Sequence, residues 1–193
     1  MGLRPGAGDH ALERGDRVWL RKLRPDDQDA LLAMVATSRS LHHPWTRPPD
    51  DEQAFRALIE HARSEDFVSL VGWRAADGAL AAVVNLSQIV RGAFNSCYCG
   101  FYANAATAGQ SLTRETLELV LRYAFTTEHL HRVEANVQPA NAASIALVRR
   151  LGFRHEGFSP RYLHIDEAWR DHERFAMTLE DWLALDIRRA SSG

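Results

Sequence analysis

A chain of 193 residues, 46% of them hydrophobic, fits one domain that can bury a sizeable core without disulfides or a structural metal. The formal net charge of -2 argues against extensive electrostatic binding of nucleic acid. No stretch approaches the roughly eighteen apolar residues of a membrane span, and the first residues lack the pattern of a signal peptide. We therefore expect a cytoplasmic protein with no membrane contact and no direct nucleic-acid binding.

Residue types that bind metals or form disulfides are few or poorly spaced. Cys97 and Cys99 are two residues apart, so on a strand both point to one face at a separation awkward for a disulfide. They predict two small buried side chains. The nine histidines show no HExxH-type spacing. We expect no metal site.

The N-terminal part predicts a lead-in followed by a strand and a helix. Residues 1–14 combine Gly, Pro and mixed charge, which predicts a flexible segment. We assign 15–188 to a single domain and 189–193 to a tail. Residues 17–24 alternate as in a strand, and Pro25 with the acids after it predicts the start of a helix.

The next part predicts a second helix and an antiparallel meander. Prolines make 41–49 irregular, and Asp50 with Gln53 resembles a capping pair for the second helix. Three strands follow, separated by short turns, and consecutive strands with short turns pair antiparallel. The predicted strands are 67–74, Leu80–Val90 and 94–102.

The C-terminal half predicts a long helix over 112–128, a strand over 130–137, a helix that opens at Asn141, and a hairpin. The predicted order of elements is strand, two helices, three antiparallel strands, helix, strand, helix and hairpin. This order defines a mixed α/β (α+β) fold. We expect a mainly antiparallel sheet with helices on both faces.

Two segments can hold an extended ligand. The small-residue loop at 108–112 feeds a helix N-terminus, which suits a phosphate, although a plain structural loop is the commoner outcome of such a pattern. After the strand over 130–137, Asn141 is placed to cap a helix and Ser144 lies in its first turn. An extended ligand fits beside this strand end and helix start.

Three motifs carry a resemblance to a known family. They are IVRGAFNSCYCGF, the run Pro-x-Asn-x-x-Ser from Pro139 to Ser144 with Leu-Gly-Phe and Glu-Gly after it, and the hairpin from Tyr162 through Trp169-Arg170-Asp171-His172. With the order of elements, the chain resembles the GNAT superfamily of acetyl-CoA-dependent N-acetyltransferases over roughly residues 18–182. Within it, the chain is similar to the RimJ/RimL-type ribosomal-protein alanine N-acetyltransferases, nearer RimJ.

The resemblance implies that acetyl-CoA, the acetyl donor, lies with its pyrophosphate on the loop 106–111 and its pantetheine arm between strands 97–102 and 132–137. It implies that Asn141 contacts the cofactor and that Ser144 hydrogen-bonds the leaving thiolate. The positions expected to bind acetyl-CoA are Phe101, Tyr102, Ala103, Ala108, Gly109, Gln110, Ser111, Leu112, Thr113, Asn136, Asn141 and Ser144.

Two positions depart from the family pattern. The loop reads Ala106-x-x-Gly109-x-Ser111, without the usual first polar residue and second glycine. Serine can replace that glycine only where the backbone needs no positive φ, so we predict weaker acetyl-CoA binding. Arg114 is the nearby candidate for a compensating charge. Arg161 stands where relatives often place an acid, so a familiar base is missing.

Glu134 is our candidate base and Tyr162 the alternative proton handler, together with Ser144 as the third catalytic candidate. A surface glutamate and a packed tyrosine are the alternative interpretations of the first two. The resemblance also implies four residues around the acetyl group and acceptor, for each of which core packing is the alternative. They are Trp45, Asn85, Tyr98 and Trp169.

The resulting hypothesis is an acetyl-CoA-dependent N-acetyltransferase that modifies the N-terminal α-amine of a protein, with a ribosomal protein as one candidate acceptor. The amine attacks the thioester directly in a ternary complex, and backbone groups near 101–103 polarise the carbonyl. A small-molecule amine acetyltransferase and a non-catalytic acetyl-CoA-binding module are the alternatives. A homodimer is the candidate assembly.

Overall fold

A computed structural model describes residues 11–190 and, of these, all side chains except those of 186 and 188–190. Most of the predicted flexible lead-in, residues 1–10, lies outside the described residues, as do 191–193. Eight strands are described: β1 (Glu13–Arg14), β2 (Val18–Lys22), β3 (Val68–Arg74), β4 (Leu80–Val90), β5 (Ser96–Ala103), β6 (Arg132–Val137), β7 (Arg154–Ile165) and β8 (Ala168–Thr178).

Six α-helices are described, and two 3-10 turns, Pro25–Asp27 and Ala105–Thr107, precede the first and the fourth. The helices are α1 (Gln28–Thr37), α2 (Arg39–His42), α3 (Glu52–His61), α4 (Leu112–Thr126), α5 (Ala142–Leu151) and α6 (Leu179–Ala190). Within the described residues, no helix is long and apolar enough to cross a bilayer.

All eight strands belong to one sheet in the order β1-β2-β3-β4-β5-β6-β8-β7. Neighbouring strands are antiparallel except β5 and β6, which are parallel. The predicted meander is the run β3-β4-β5. The fold class predicted from the sequence is therefore confirmed: a mixed α/β fold with a mainly antiparallel sheet.

The sheet divides between its two parallel strands. β5 and β6 pair only where Ser96–Tyr98 lies beside Arg132–Glu134. Beyond this point β5 stays with β4 as far as Ala103, and β6 stays with β8 as far as Val137. Because each strand follows its outer neighbour, a gap opens between them, and the facing backbone edges lose their ladder partners.

Each face of the sheet carries a core. On one face α4 and α5 pack on the inward side chains of β5, β6 and β8, including Val133, Ala135 and Phe175. α1 and α3 cover the other face. Gly72 permits the close approach of α4, since a Cβ there would lie 2.3 Å from Thr116 Oγ1. Helices therefore cover both faces, as predicted.

Three local features differ from the prediction. Glu13–Arg14, which we placed in the flexible lead-in, pairs with β2. α3 is capped by Asp51, whose carboxylate accepts from Ala54 N at 2.7 Å, and not by Asp50. The choice between adjacent aspartates depends on where the loop turns. At the other end, α6 continues to Ala190, past the boundary predicted for the tail.

Candidate functional site

The gap between β5 and β6 opens into a cavity of about 720 Å³, which we call the main cavity. The N-terminal turns of α4 and α5 both border it. Its lining includes eleven residues that the sequence analysis expected near acetyl-CoA or its acetyl group. They are Trp45, Phe101, Tyr102, Ala103, Ala108, Gly109, Ser111, Thr113, Asn136, Asn141 and Ser144.

Two positions expected to bind the cofactor are not part of this lining. Leu112 is buried in the core under α4. The side-chain amide of Gln110 folds back, donating from Nε2 to Ala106 O at 3.2 Å and accepting from Arg74 Nη1 at 3.3 Å. Both side chains point away because the loop presents its backbone to the cavity.

The loop before α4 needs two left-handed residues. Gly109 has φ 76° and Ser111 has φ 61°. Ser111 is the residue before the first helical position, and its side chain makes no capping hydrogen bond. The first backbone N–H groups of any α-helix lack partners within the helix, so this end of α4 offers donors and a positive dipole end to an anion. The serine occupies a conformation that glycine adopts without strain.

The second helix N-terminus fixes Ser144. The side-chain oxygen of Asn141 accepts from the backbone N–H of Ser144 at 3.1 Å, as predicted for a cap. Gly152, at φ 98°, ends the same helix. The half-buried Ser144 therefore stands in a rigid first turn that borders the main cavity.

Three residues that line this cavity carry a buried polar atom without a partner within the described chain: His42 (Nδ1), Tyr102 (the hydroxyl) and Asn136 (Oδ1). Oδ1 of Asn136, on the residue before the last of β6, faces the part of the gap where β5 and β6 no longer pair. A buried acceptor without a donor is costly, and an amide N–H from a bound molecule would satisfy it. With the open edges of β5 and β6 and the two helix N-termini, the lining fits an extended ligand that carries amides and a phosphate.

The predicted proton handlers lie beside the main cavity on the face of the sheet that includes Asn136. Tyr98 and Tyr162 share a hydrogen bond of 3.2 Å between their hydroxyl oxygens. A bulge between Ser159 and Leu163 brings Tyr162 there by adding residues opposite β8. Glu134, opposite Tyr98, accepts from Arg132 Nε at 2.7 Å. None of the three borders the main cavity directly.

A second cavity, of about 530 Å³, lies beside the first under the segment after α2. Asn85 borders it, with its Oδ1 accepting from Ser69 Oγ at 2.8 Å. Four residues line both cavities: Thr46, Gly100, Phe101 and Tyr102. Trp169, the remaining predicted substrate residue, borders neither and is 62% exposed on the hairpin, in edge contact with His164.

Sequence reasoning missed two histidines that border the main cavity, His42 and His172. Both are buried, and burial lowers the pKa of each imidazole. The sequence analysis considered histidines only as a metal set. His172 stands within one of the motifs that carry the family resemblance, which is the signal that could have found it.

The two cysteines are buried, as predicted, and free. Burial raises the pKa of the Cys99 thiol to about 12 and raises that of Cys97 well above its usual range. A thiol is nucleophilic as the thiolate. Neither cysteine is therefore suited to attack a thioester at neutral pH.

The mixed sheet splits between two parallel strands, with a helix N-terminus bordering the gap from each side, and this is the arrangement that the family resemblance implies for an acetyl-CoA-dependent transferase. Comparison with known proteins agrees. A family model described as an acetyltransferase (GNAT) domain matches residues 17–154. The chain therefore belongs to the GNAT acetyltransferase family.

Several relatives and solved structures are similar to this chain. The [ribosomal protein uS5]-alanine N-acetyltransferase of Escherichia coli (strain K12) is 34% identical over 175 residues, which cover 86% of this chain and 90% of the relative. Mycobacterium smegmatis RimJ in complex with CoA-disulfide has a TM-score of 0.77 at 28% identity, covering 85% and 83% of the two chains. Spermidine N-acetyltransferase from Vibrio cholerae, in complex with CoA and spermine, has a TM-score of 0.73 at 20% identity, covers 86% and 98%, and shows the shared fold.

The chain is thus an N-acetyltransferase of this family, and acetyl-CoA is its cofactor. Acetyl-CoA supplies a thioester whose acetyl group is transferred to an amine. The features that fit it here are the unpartnered Asn136 oxygen, the open strand edges and the donor-rich start of α4.

Proposed function

We propose that this enzyme acetylates the N-terminal α-amine of a protein by direct attack of the amine on the thioester in a ternary complex. The observation that carries the proposal is the shared wall of the two cavities, formed by Thr46, Gly100, Phe101 and Tyr102. The main cavity takes the donor and the second cavity takes the acceptor chain. The two substrates then meet at the open end of β5.

The donor is held mainly by backbone. The N–H groups of 109 and 111–113 bind the pyrophosphate, while the Gln110 N–H donates to Thr107 O at 3.2 Å. The open edges of β5 and β6 bind the amides of the pantetheine arm. Asn136 Oδ1 accepts from one of those amides, and Asn141 contacts the cofactor from the first turn of α5. Backbone N–H groups of 101–103 polarise the thioester carbonyl.

Two side chains act on the thiolate that leaves as the C–S bond breaks. Ser144 is held in the first turn of α5 by its backbone bond to Asn141, and its hydroxyl hydrogen-bonds the departing thiolate. Tyr162, whose hydroxyl is oriented by Tyr98, lies outside the cavity lining and supplies a proton to the thiolate through a water molecule. Both roles stabilise charge that develops as the C–S bond breaks.

Direct attack is favoured over an acyl-enzyme. Cys97 and Cys99 are the thiols nearest the gap, and burial keeps both protonated. A chain that lacks an activated thiol gains nothing from a covalent step. Incubation with acetyl-CoA alone is therefore expected to leave the protein unlabelled, as intact-mass measurement would show.

An α-amine suits this site better than a lysine or a polyamine. With a pKa near ~8, about a tenth of an α-amine is neutral at pH 7, against about one part in two thousand for a lysine near ~10.4. Within the described residues, Asp50 is the one carboxylate that borders the second cavity, and Arg47, which pairs with Asp166, borders it as well. A polyamine carries several charges and would need several acids.

The test is a panel of peptides that start with Ala or Ser, measured beside free amino acids and spermidine. We expect thiol release with the peptides, acetylation at the N-terminal nitrogen by mass spectrometry, and no competition from the free amines. A peptide blocked at its N-terminus is the matched control. Turnover of spermidine at the expense of peptide would contradict the proposal and favour a small-molecule acetyltransferase.

Three expectations remain part of the proposal. They are a cytoplasmic location, a ribosomal protein as acceptor, and assembly as a homodimer. The relative from Escherichia coli acts, by its name, on alanine of ribosomal protein uS5, which supports the second. Light scattering on the purified protein tests the third.

A further inference from the structure

His172 lies at the point where β8 extends beyond its partner strand. The last residue of β6, Val137, pairs with Glu173, so His172 stands one residue past the end of β6. Side chains alternate along a strand, and Arg174 lies opposite Asn136. His172 therefore shares the face of Asn136, and it borders the main cavity with only 2% of its surface exposed.

The tautomer of His172 follows from one hydrogen bond. Its Nδ1 lies 3.0 Å from the backbone oxygen of Arg170. A carbonyl oxygen can only accept, so Nδ1 carries the proton. In the neutral ring Nε2 then carries a lone pair, and burial, which lowers the pKa of His172, favours this neutral form.

The free nitrogen of His172 differs from that of the other buried histidine in the cavity. His42 donates from Nε2 to Ala103 O at 2.8 Å, and its Nδ1 is fully enclosed without a partner. Within the described residues, Nε2 of His172 has no hydrogen-bond partner. Unlike Nδ1 of His42, it is not fully enclosed. His172 therefore keeps an accessible lone pair at the cavity wall.

Several ionisable groups lie near this ring or on the same face of the sheet. Tyr162 on β7 meets it edge to face, with ring centroids 6.0 Å apart. Asp171 and Arg170 are its neighbours in the chain, and the Asp171 charge partly opposes the effect of burial on the pKa of His172. The groups on the same face of the sheet are Tyr98, Glu134 and Arg174, with His42 across the cavity.

From this geometry we propose that Nε2 of His172 accepts the proton that the acceptor amine loses during acetyl transfer. The inference rests on the proposed function. It makes His172 a catalytic residue that meets the acceptor nitrogen, with the Arg170 carbonyl as the group that holds its tautomer.

The step balances without another reagent. The lone pair of the amine nitrogen forms the C–N bond with the carbonyl carbon, and the C–S bond breaks with its electron pair moving to sulfur. As the C–N bond forms, the nitrogen becomes positive and its N–H more acidic than in a free ammonium. That proton moves to Nε2 of His172, the imidazolium releases it to solvent, and the thiolate takes up a proton from Tyr162 or water.

Glu134, the base that the sequence suggested, is less directly placed. Its Oε1 accepts from Arg132 Nε at 2.7 Å, and the residue does not border the main cavity. A neutral imidazole also matches the task better, because a base works best with a pKa near the working pH. Glu134 then contributes charge to this face and holds Arg132.

The experiment compares three variants of the full chain with one acceptor peptide. His172→Asn keeps an amide N–H near the position of Nδ1 but removes the lone pair of Nε2. We expect kcat to fall about 100-fold, with the acetyl-CoA dissociation constant by calorimetry unchanged. In the wild type, kcat should fall at acid pH because His172 becomes protonated. This acidic limb of the pH profile should disappear in His172→Asn.

Two controls separate the alternatives. His155→Asn makes the same change on the same hairpin, at a residue that borders neither cavity and pairs with Glu173, and should behave as the wild type. Glu134→Gln should lose less than about tenfold and keep the acidic limb. A limb that vanishes in Glu134→Gln and persists in His172→Asn overturns the inference.

A measurement on the free wild-type protein is independent of turnover. Nitrogen NMR of labelled histidine should show His172 protonated at Nδ1, with a pKa below its ordinary value. An Nε2-protonated ring overturns the inference even if His172→Asn fails to fold. Wild-type protein that acetylates no amine overturns the proposed function and the inference with it, whereas an active wild type with an equally active His172→Asn overturns the inference alone.

Discussion

The hydroxyl oxygens of Tyr98 and Tyr162 lie 3.2 Å apart, which joins the end of the β5–β6 pairing to the bulge of β7. This hydrogen bond, with burial and the nearby charge of Glu134, raises the pKa of Tyr98 to about 12. Tyr98 therefore stays neutral at physiological pH. A neutral Tyr98 can orient the hydroxyl of Tyr162 through this hydrogen bond.

Tyr98 and Tyr162 should behave as one unit. We expect Tyr162→Phe to lower kcat by about 10- to 100-fold and Tyr98→Phe by less, because Tyr98 acts through Tyr162. The double variant should be no slower than Tyr162→Phe alone, since the second hydroxyl has nothing left to orient. Steady-state kinetics at saturating acetyl-CoA measures this, and fully additive losses would contradict it.

Ser111→Gly should stabilise the protein. Ser111 is held at φ 61°, where a side chain costs about 1 kcal/mol relative to glycine, and the chain entropy that glycine adds offsets part of the gain. We expect a net gain of up to about 0.5–1 kcal/mol in the unfolding free energy, measured by urea titration. Ser111→Ala is the control, because it keeps the strained Cβ and should change little. Calorimetry should also show tighter acetyl-CoA binding for Ser111→Gly.

Asn141→Ala should cost both stability and activity. The lost cap on α5 destabilises by about 1 kcal/mol, and Ser144 loses the backbone bond that holds its turn. Asn141→Asp keeps a capping oxygen and should recover the stability by thermal unfolding. It also places a negative charge beside the donor, so its acetyl-CoA affinity should stay low. Equal recovery of stability and affinity would show that Asn141 acts only as a cap.

Glu156 should make stability depend on acid pH. Hydrogen bonds from Arg132, then Arg154, against the opposing effect of burial, hold the pKa of Glu156 near about 2, below its ordinary 4.5. A carboxylate with a lowered pKa in the folded state stabilises above the unfolded value, and this is lost as pH falls toward 2. The difference in unfolding free energy between wild type and Glu156→Gln should be constant near neutral pH and vanish between about pH 4.5 and 2. A difference that is undiminished at pH 2 would have another origin.

The buried ion pair of Arg21 and Asp27 should be sensitive to the loss of one partner. Two bonds of 2.6 Å join them, both side chains are at most 5% exposed, and the guanidinium lies 4.9 Å from the Trp73 ring centroid. Asp27→Ala should cost about 3–5 kcal/mol in urea unfolding because it leaves a buried charge unpaired. The double variant Arg21→Met with Asp27→Leu should recover most of that loss. A double variant as unstable as the single one would contradict this.

Much of the fold was accessible from local patterns. The meander followed from three apolar runs with short turns, and Asn141 and Gly152 marked the ends of α5 as predicted. Capping and turn chemistry act over three or four residues, so the sequence shows them directly. The same local rules did not distinguish Asp50 from Asp51, because the loop before α3 decides which side chain reaches Ala54 N.

By itself, the sequence determined the fold class, the family, the acetyl donor and the positions of Asn141 and Ser144, since each depends on neighbours in the chain or on a short motif. The tertiary structure decided the rest. The gap exists because β5 follows β4 and β6 follows β8. The accessible nitrogen of His172 depends on β8 extending beyond the end of β6. Such features depend on the relative lengths and registers of strands that are distant in sequence, and no local pattern encodes them.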